Sequence, residues 1–143
     1  MTKEIVQLHA TKGTGYKVVR ALTADLTCGD ASGGTINLGG IENPEDRAAK
    51  IIQVVLTYAA ASANCALDVG IGDAITDKDK TDFMADVDNT SAGSTVAYTG
   101  ATETGEHKEL AANGETGDCI VVTQGAQDKS TKVSVSVLLG YEY

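Results

Sequence analysis

The chain contains no tryptophan, one phenylalanine and one proline, and tyrosine supplies its five other aromatic side chains. An enzyme pocket or a sugar platform normally offers a ligand more aromatic surface than that. Positive charge is also scarce, with 11 basic against 20 acidic residues and a formal net charge of -9. Phosphate recognition needs Lys and Arg in surplus on one face, and here they are scattered, so nucleic acid is not expected as a direct partner. No apolar run approaches the roughly 18 residues of a membrane span. The amino terminus, MTKEIVQLHA, has no signal-peptide core. The expectation is synthesis in a cytoplasm and no membrane partner. Cys28, Cys65 and Cys119 are odd in number and lack CxxC spacing, which points to neither a disulfide framework nor a zinc site. Cys65 and Cys119 lie in apolar strand patterns and are expected to be buried thiols, whereas Cys28, beside Gly29 and Asp30, is expected in a loop.

What the chain does contain is glycine, 16 residues of it, together with many Val, Ile, Thr and Ala. That mixture predicts short strands joined by Gly-rich turns. Residues 4–10 and 16–22 read as the first two strands, with Gly13-Thr14-Gly15 as their turn. Residues 23–46 are rich in turns and leave room for a short strand at 35–38 and one helical turn from Asn43, with Pro44 at its first position. Residues 50–60, KIIQVVLTYAA, place Ile51, Val54, Val55 and Tyr58 at helical spacing, but the β-branched run of Ile51, Ile52, Val54, Val55 and Thr57 favours a strand. Residues 65–69 then read as its hairpin partner. Further strands are expected at 94–98, 109–112, 118–123 and 131–143. In the last of these, Val133, Val135 and Val137 alternate with Lys132, Ser134 and Ser136. No long helices intervene, so a parallel α/β fold is disfavoured. The prediction is one all-β domain over residues 1–143, an antiparallel, jelly-roll-like β-sandwich with at most one short helix.

Candidate chemistry is thin. Asp73, Asp77, Asp79, Asp82, Asp86 and Asp88 suggest a calcium loop, and Asp77, Asp79 and Thr81 fit the first spacings of an EF-hand. Asp82 occupies the position that needs glycine, Asp88 replaces the final Glu, and no helical pattern flanks the segment, so the EF-hand fails. A solvated acidic turn with Lys78 and Lys80 interleaved is the plainer expectation, and no metal site or cofactor is assigned. His107, beside Glu106 and Glu109, has no nucleophile motif to serve, and His9 lies in the first strand. Gly13-Thr14-Gly15 is too short for a phosphate loop despite Lys12 and Lys17 nearby. The Asn89-Thr90-Ser91 sequon matters only in a secretory pathway. No acid, base and nucleophile set emerges, so no enzyme is expected. Tyr141 and Tyr143 close the chain after its best strand and are candidates for a subunit contact or for docking on the protein's own sheet.

The strand at 51–58, then Leu67-Asp68-Val69-Gly70, then an Asp-rich turn into DFMADVD resembles small virion proteins of tailed bacteriophages. Gly117-Asp118-Cys119-Ile120-Val121-Val122-Thr123 and the alternating strand from Val133 to Tyr141 extend the resemblance, which covers roughly residues 50–143. The resemblance implies a capsid decoration (cement, head-stabilising) protein or a related small head or tail component. It implies a β-sandwich homotrimer on the outer capsid surface of a virion, clamping neighbouring copies of the major capsid protein. By the same analogy residues 1–45 would be a capsid-facing arm and loops, and residues 46–143 the core sandwich. The alternative is a cation- or carbohydrate-binding β-sandwich module of a phage tail or adhesin, which requires oxygen ligands to converge near Asp73, Asp77, Asp79 and Asp82.

Overall fold

Two antiparallel sheets stack face to face in the computed structural model, which describes residues 2–8, 18–73, 80–98, 109–112, 118–126 and 131–141. The strands are β1 (Thr2–Leu8), β2 (Val18–Thr27), β3 (Ile36–Glu42), β4 (Ala49–Tyr58), β5 (Leu67–Asp73), β6 (Met84–Val87), β7 (Gly93–Tyr98), β8 (Glu109–Leu110), β9 (Asp118–Gln124) and β10 (Lys132–Tyr141). No helix occurs among the described residues. Pairing is nested: β2 with β10, β3 with β9, β4 with β7, β5 with β6. A long hairpin rolled on itself in this way gives the sheets β2-β10-β4-β7 and β3-β9-β5-β6, the jelly-roll order. β1 extends the first sheet beyond β2, and the short β8 pairs with Ala49 and Lys50 of β4.

Alternation builds the core. Val133, Val135, Val137, Leu139 and Tyr141 of β10 turn inward with Leu22, Ala24, Val54 and Leu56, and meet Leu67, Val69, Ile120 and Val122 of the other sheet. Each fully buried Val, Leu or Ile contributes about 1.5–3 kcal/mol. In β4 the inward residues are Ala49, Ile51, Val54 and Leu56, so the two-residue period slips once. The β10–β4 register shifts between Leu138 and Leu139 at the same point. The helical spacing of Ile51 and Val54 is thus produced by a bulge in a strand, which re-phases the side chains.

Three expectations need correction. Residues 50–60 and 65–69 do not form a hairpin: β4 lies in the first sheet and β5 in the second, so the connection at 59–66 crosses between sheets. Both strands are apolar because both face the common core, a pattern that does not specify pairing. No helical turn starts at Asn43. Its Oδ1 accepts the Glu45 N–H at 3.1 Å as an N-cap would, but its Nδ2 donates to the Arg47 carbonyl at 2.8 Å and holds the chain in a bend. Finally, the sandwich is not confined to residues 46–143, because β2 and β3 supply a strand to each sheet and Leu22, Ala24 and Ile41 to the core.

Candidate functional site

A buried polar cluster gathers around Asn43. Asn43, 1 % exposed, donates from Nδ2 to the carbonyls of Arg47 (2.8 Å), Ala111 (3.1 Å) and Leu110 (3.3 Å). Its Oδ1 accepts the Glu45 N–H and, at 2.6 Å, the Tyr141 hydroxyl. Glu45 pairs with Arg47 at 3.0 Å and with Arg20 at 3.4 Å, and the Arg47 guanidinium lies 4.8 Å from the Tyr141 ring centroid. Tyr141 is 0 % exposed, so the ring considered for a subunit contact packs inside its own domain, while Tyr143 lies outside the described residues. The cluster ties the 43–47 loop, β8 and the end of β10 together.

Burial pushes the Tyr141 hydroxyl up to about 12, with the Glu45 charge adding to the rise and Arg20 and Arg47 opposing it. Folded Tyr141 thus holds its proton more tightly than the unfolded chain, where tyrosine titrates near 10. Its contribution is complete below pH ~10 and is lost as pH rises toward ~12, in total roughly 2–3 kcal/mol. Tyr141→Phe should flatten the fall in denaturation midpoint across that window relative to wild type. Equal slopes would show that Tyr141 does not titrate on unfolding.

The acidic segment serves the fold at its described end. Asp82 Oδ2 accepts the Ile71 N–H at 3.0 Å, and the Phe83 N–H donates to the Val69 carbonyl at 3.0 Å. Gly70 permits this: a Cβ there would lie 2.6 Å from Asp82 Oδ2 and 2.7 Å from Lys80. The buried Asp68 accepts the Asp86 N–H at 2.8 Å, and Asp86 takes a positive φ of 51°. Thr90 donates its N–H and its hydroxyl to Asp88, holding that carboxyl below its usual range. Asp77, Asp79 and Lys78 lie outside the described residues, as do His9, His107, Lys12, Lys17 and Gly13-Thr14-Gly15. Among the described residues no group of His, Cys, Asp and Glu side chains is placed to hold a metal ion.

Other candidates are internal as well. Asn89 of the sequon is 0 % exposed, and its Oδ1 accepts the Cys65 N–H at 2.9 Å. Cys65 and Cys119 are buried free thiols, as expected. Cys28 follows β2 in a loop and is buried too, with its N–H donated to the Thr131 carbonyl at 2.8 Å.

The feature that sequence reading missed is a surface. The outer face of the first sheet carries cross-strand rows Thr23–Ser136–Val55–Val96 and Asp25–Ser134–Thr57–Ser94. Hydroxyls bridge neighbouring strands at 3.0 Å (Thr23 to Ser136) and 3.2 Å (Thr57 to Ser94). Only Asp25 is charged in these two rows, in a chain carrying -9. A shallow depression of about 370 Å³ lies between Asp25, Thr57, Tyr58, Lys132 and Ser134. Val96, 44 % exposed, is the one exposed large hydrophobic among the described residues. The alternation of Ser134 and Ser136 with buried Val133, Val135 and Val137 in β10 is the signal that points to such a face.

No family model and no curated protein matches the sequence. Solved structures do. A chain from the capsid of Ralstonia phage GP4 is similar over 96% of this chain and 92% of its own, with TM-score 0.58 and 15% identity. A chain from the acidic stable capsid structure of Helicobacter pylori bacteriophage KHP30 aligns over 100% of this chain and 95% of its own, with TM-score 0.47 and 18% identity. At these identities what the GP4 chain shares with this one is the β-sandwich fold.

Proposed function

We propose that this chain is a virion structural protein that decorates and stabilises the outer surface of a phage capsid, bridging major capsid subunits as a homotrimer. The observation that carries the proposal is the fold shared along nearly the whole length of both chains with a chain of the GP4 capsid. The sequence resemblance between residues 50 and 143 points the same way. The chemistry agrees: the polar groups around Asn43 and Asp82 bond within the chain itself, and the broad surface on offer is a sheet face whose central rows are mostly Ser, Thr and Val. Binding of this kind gains from many modest contacts repeated over symmetric copies. An acidic surface keeps the free protein soluble and complements basic patches on a shell.

The test is addition of purified protein to shells lacking it. Saturable binding and a shell melting temperature raised by several degrees are expected, since a ligand that binds only the intact state stabilises it by mass action. Shells that neither bind the protein nor melt later would overturn the proposal, and native mass spectrometry of the free protein would test the trimer separately.

A further inference from the structure

We infer that β7 is an open edge that joins two copies of this chain across a two-fold axis, by antiparallel β7–β7 pairing. A sheet edge presents unpaired N–H and C=O groups and invites another strand, and proteins ordinarily blunt such edges with charge, bulges or brevity. Three of the four long edges here are blunted. β1 carries Lys3 and Glu4. β3 has a register shift between Asn37 and Gly39, where Gly39 takes φ 118°, and it ends in Glu42. β6 is four residues long, pairs irregularly, and contains Asp86 at positive φ. β7 has none of these devices: Gly93–Tyr98 reads GSTVAY and pairs with β4 in unbroken register. Ser94 and Val96 are exposed, and among the described residues no strand pairs with its outer side.

Charge and strand direction select the occupant. No charged residue occurs between Asp88 and Glu103. A basic partner would be drawn to the acidic surfaces instead, whereas two copies at -9 each repel over most of their surfaces and meet at least cost where charge is absent. All neighbours in β1-β2-β10-β4-β7 are antiparallel, so β1 and β7 run the same way. Head-to-tail growth of the sheet would therefore pair β7 with β1 in parallel, the weaker ladder, and would not close in a flat sheet. A two-fold axis normal to the sheet, midway between the two facing Val96 residues, gives an antiparallel ladder and closes after two copies. It sets Val96 opposite Val96 and keeps the Ser-, Thr- and Val-rich outer face continuous across the pair.

A ladder of this length spans roughly 20 Å and buries far less than the ~800 Å² per partner of a standard interface. The contact is therefore weak in solution and becomes strong when copies are held side by side. If the free protein is a monomer, the contact makes a dimer; if it is a trimer, mass doubles when its three β7 edges pair with the three of one other trimer. The inference does not depend on the virion proposal.

Sedimentation equilibrium on the full chain, from about 10 μM to 1 mM, should show the basal species doubling in mass with a dissociation constant in the high micromolar range or above. Val96→Lys should weaken the doubling at least ~10-fold, and so should Ser94→Lys, which serves if the first variant does not fold. Mixing Val96→Lys with Val96→Glu should restore it to within about threefold of wild type. Absence of doubling at 1 mM, doubling unaffected by both lysines, or failure of the mixture to recover would each overturn the inference. Binding to shells that is lost in Val96→Lys, without self-association of the wild type, would assign the edge to another chain and likewise overturn it.

Discussion

Gly40→Ala should be the most destabilising single change in the chain, lowering its urea midpoint further than any other. A Cβ at Gly40 would run into the Ile120 carbonyl oxygen and would lie 2.7 Å from its carbon and 3.1 Å from the Val121 Cα. Those atoms belong to the backbone of β9, which has no rotamer to change. Nor can β9 move away, because β5 holds its other side with Gly70 opposite the same Val121. β3 would have to detach, exposing residues of β9 that are now 0 % accessible. The cost should exceed about 3 kcal/mol, the upper range for a single overpacked site. Gly33→Ala is the control: nothing lies within 4 Å of its Cβ position, so stability should stay within ~0.5 kcal/mol or rise slightly through the unfolded state. Gly70→Ala should fall between them, since the Asp82 carboxylate and the 80–82 segment it meets can shift. Urea unfolding of the three variants checks the order, and a Gly40→Ala protein as stable as Gly33→Ala would disprove the close approach.

Period-two alternation made β10 legible in the sequence, because Val133, Val135 and Val137 lie in a strand with one wet face and one dry face. β4 was legible as a strand from its β-branched side chains, but its bulge was not, since a single slipped residue is indistinguishable from one helical turn by spacing. The partner of each strand was the least readable feature. Apolar runs at 50–60 and 65–69 report burial in a common core, and a sandwich offers two sheets in which to be buried. The acidic segment was legible as lying between two strands, β5 and β6, with residues 74–79 outside the described ones. Gly70 acquires its reason only from the structure, because a missing Cβ matters through what lies above it, here Lys80 and Asp82, ten and twelve residues further on. The rows of the outer face were only partly legible for a similar reason: Thr23, Val55, Val96 and Ser136 are dispersed in sequence, and only the register puts them in line.

Asn43→Ala should be the second most damaging single change, at about 3–5 kcal/mol, or a fall in melting temperature of some 10–15 °C. The side chain makes five hydrogen bonds from a position 1 % exposed, and none survives truncation. Its orientation is fixed by its neighbours: three carbonyls face one side of the amide, while an N–H and a hydroxyl face the other. Two amide hydrogens therefore serve three acceptors, the 3.3 Å contact to Leu110 being the long arm of a shared bond. Asn43→Asp separates shape from chemistry. It keeps the acceptor for Tyr141 and Glu45 but replaces the donor with a second oxygen facing carbonyls, so the ionised form should be at least as destabilising as Ala at neutral pH. Its carboxyl would then titrate higher folded than unfolded, and the stability retained below pH ~4 would be lost as pH rises through that value. A double-mutant cycle with Tyr141→Phe should return a coupling of about 1–2 kcal/mol for the 2.6 Å bond. Additive losses in that cycle, or an Asn43→Asp protein whose stability does not fall with rising pH, would show that Asn43 fills space and does not hold the 43–47 loop, β8 and β10 together.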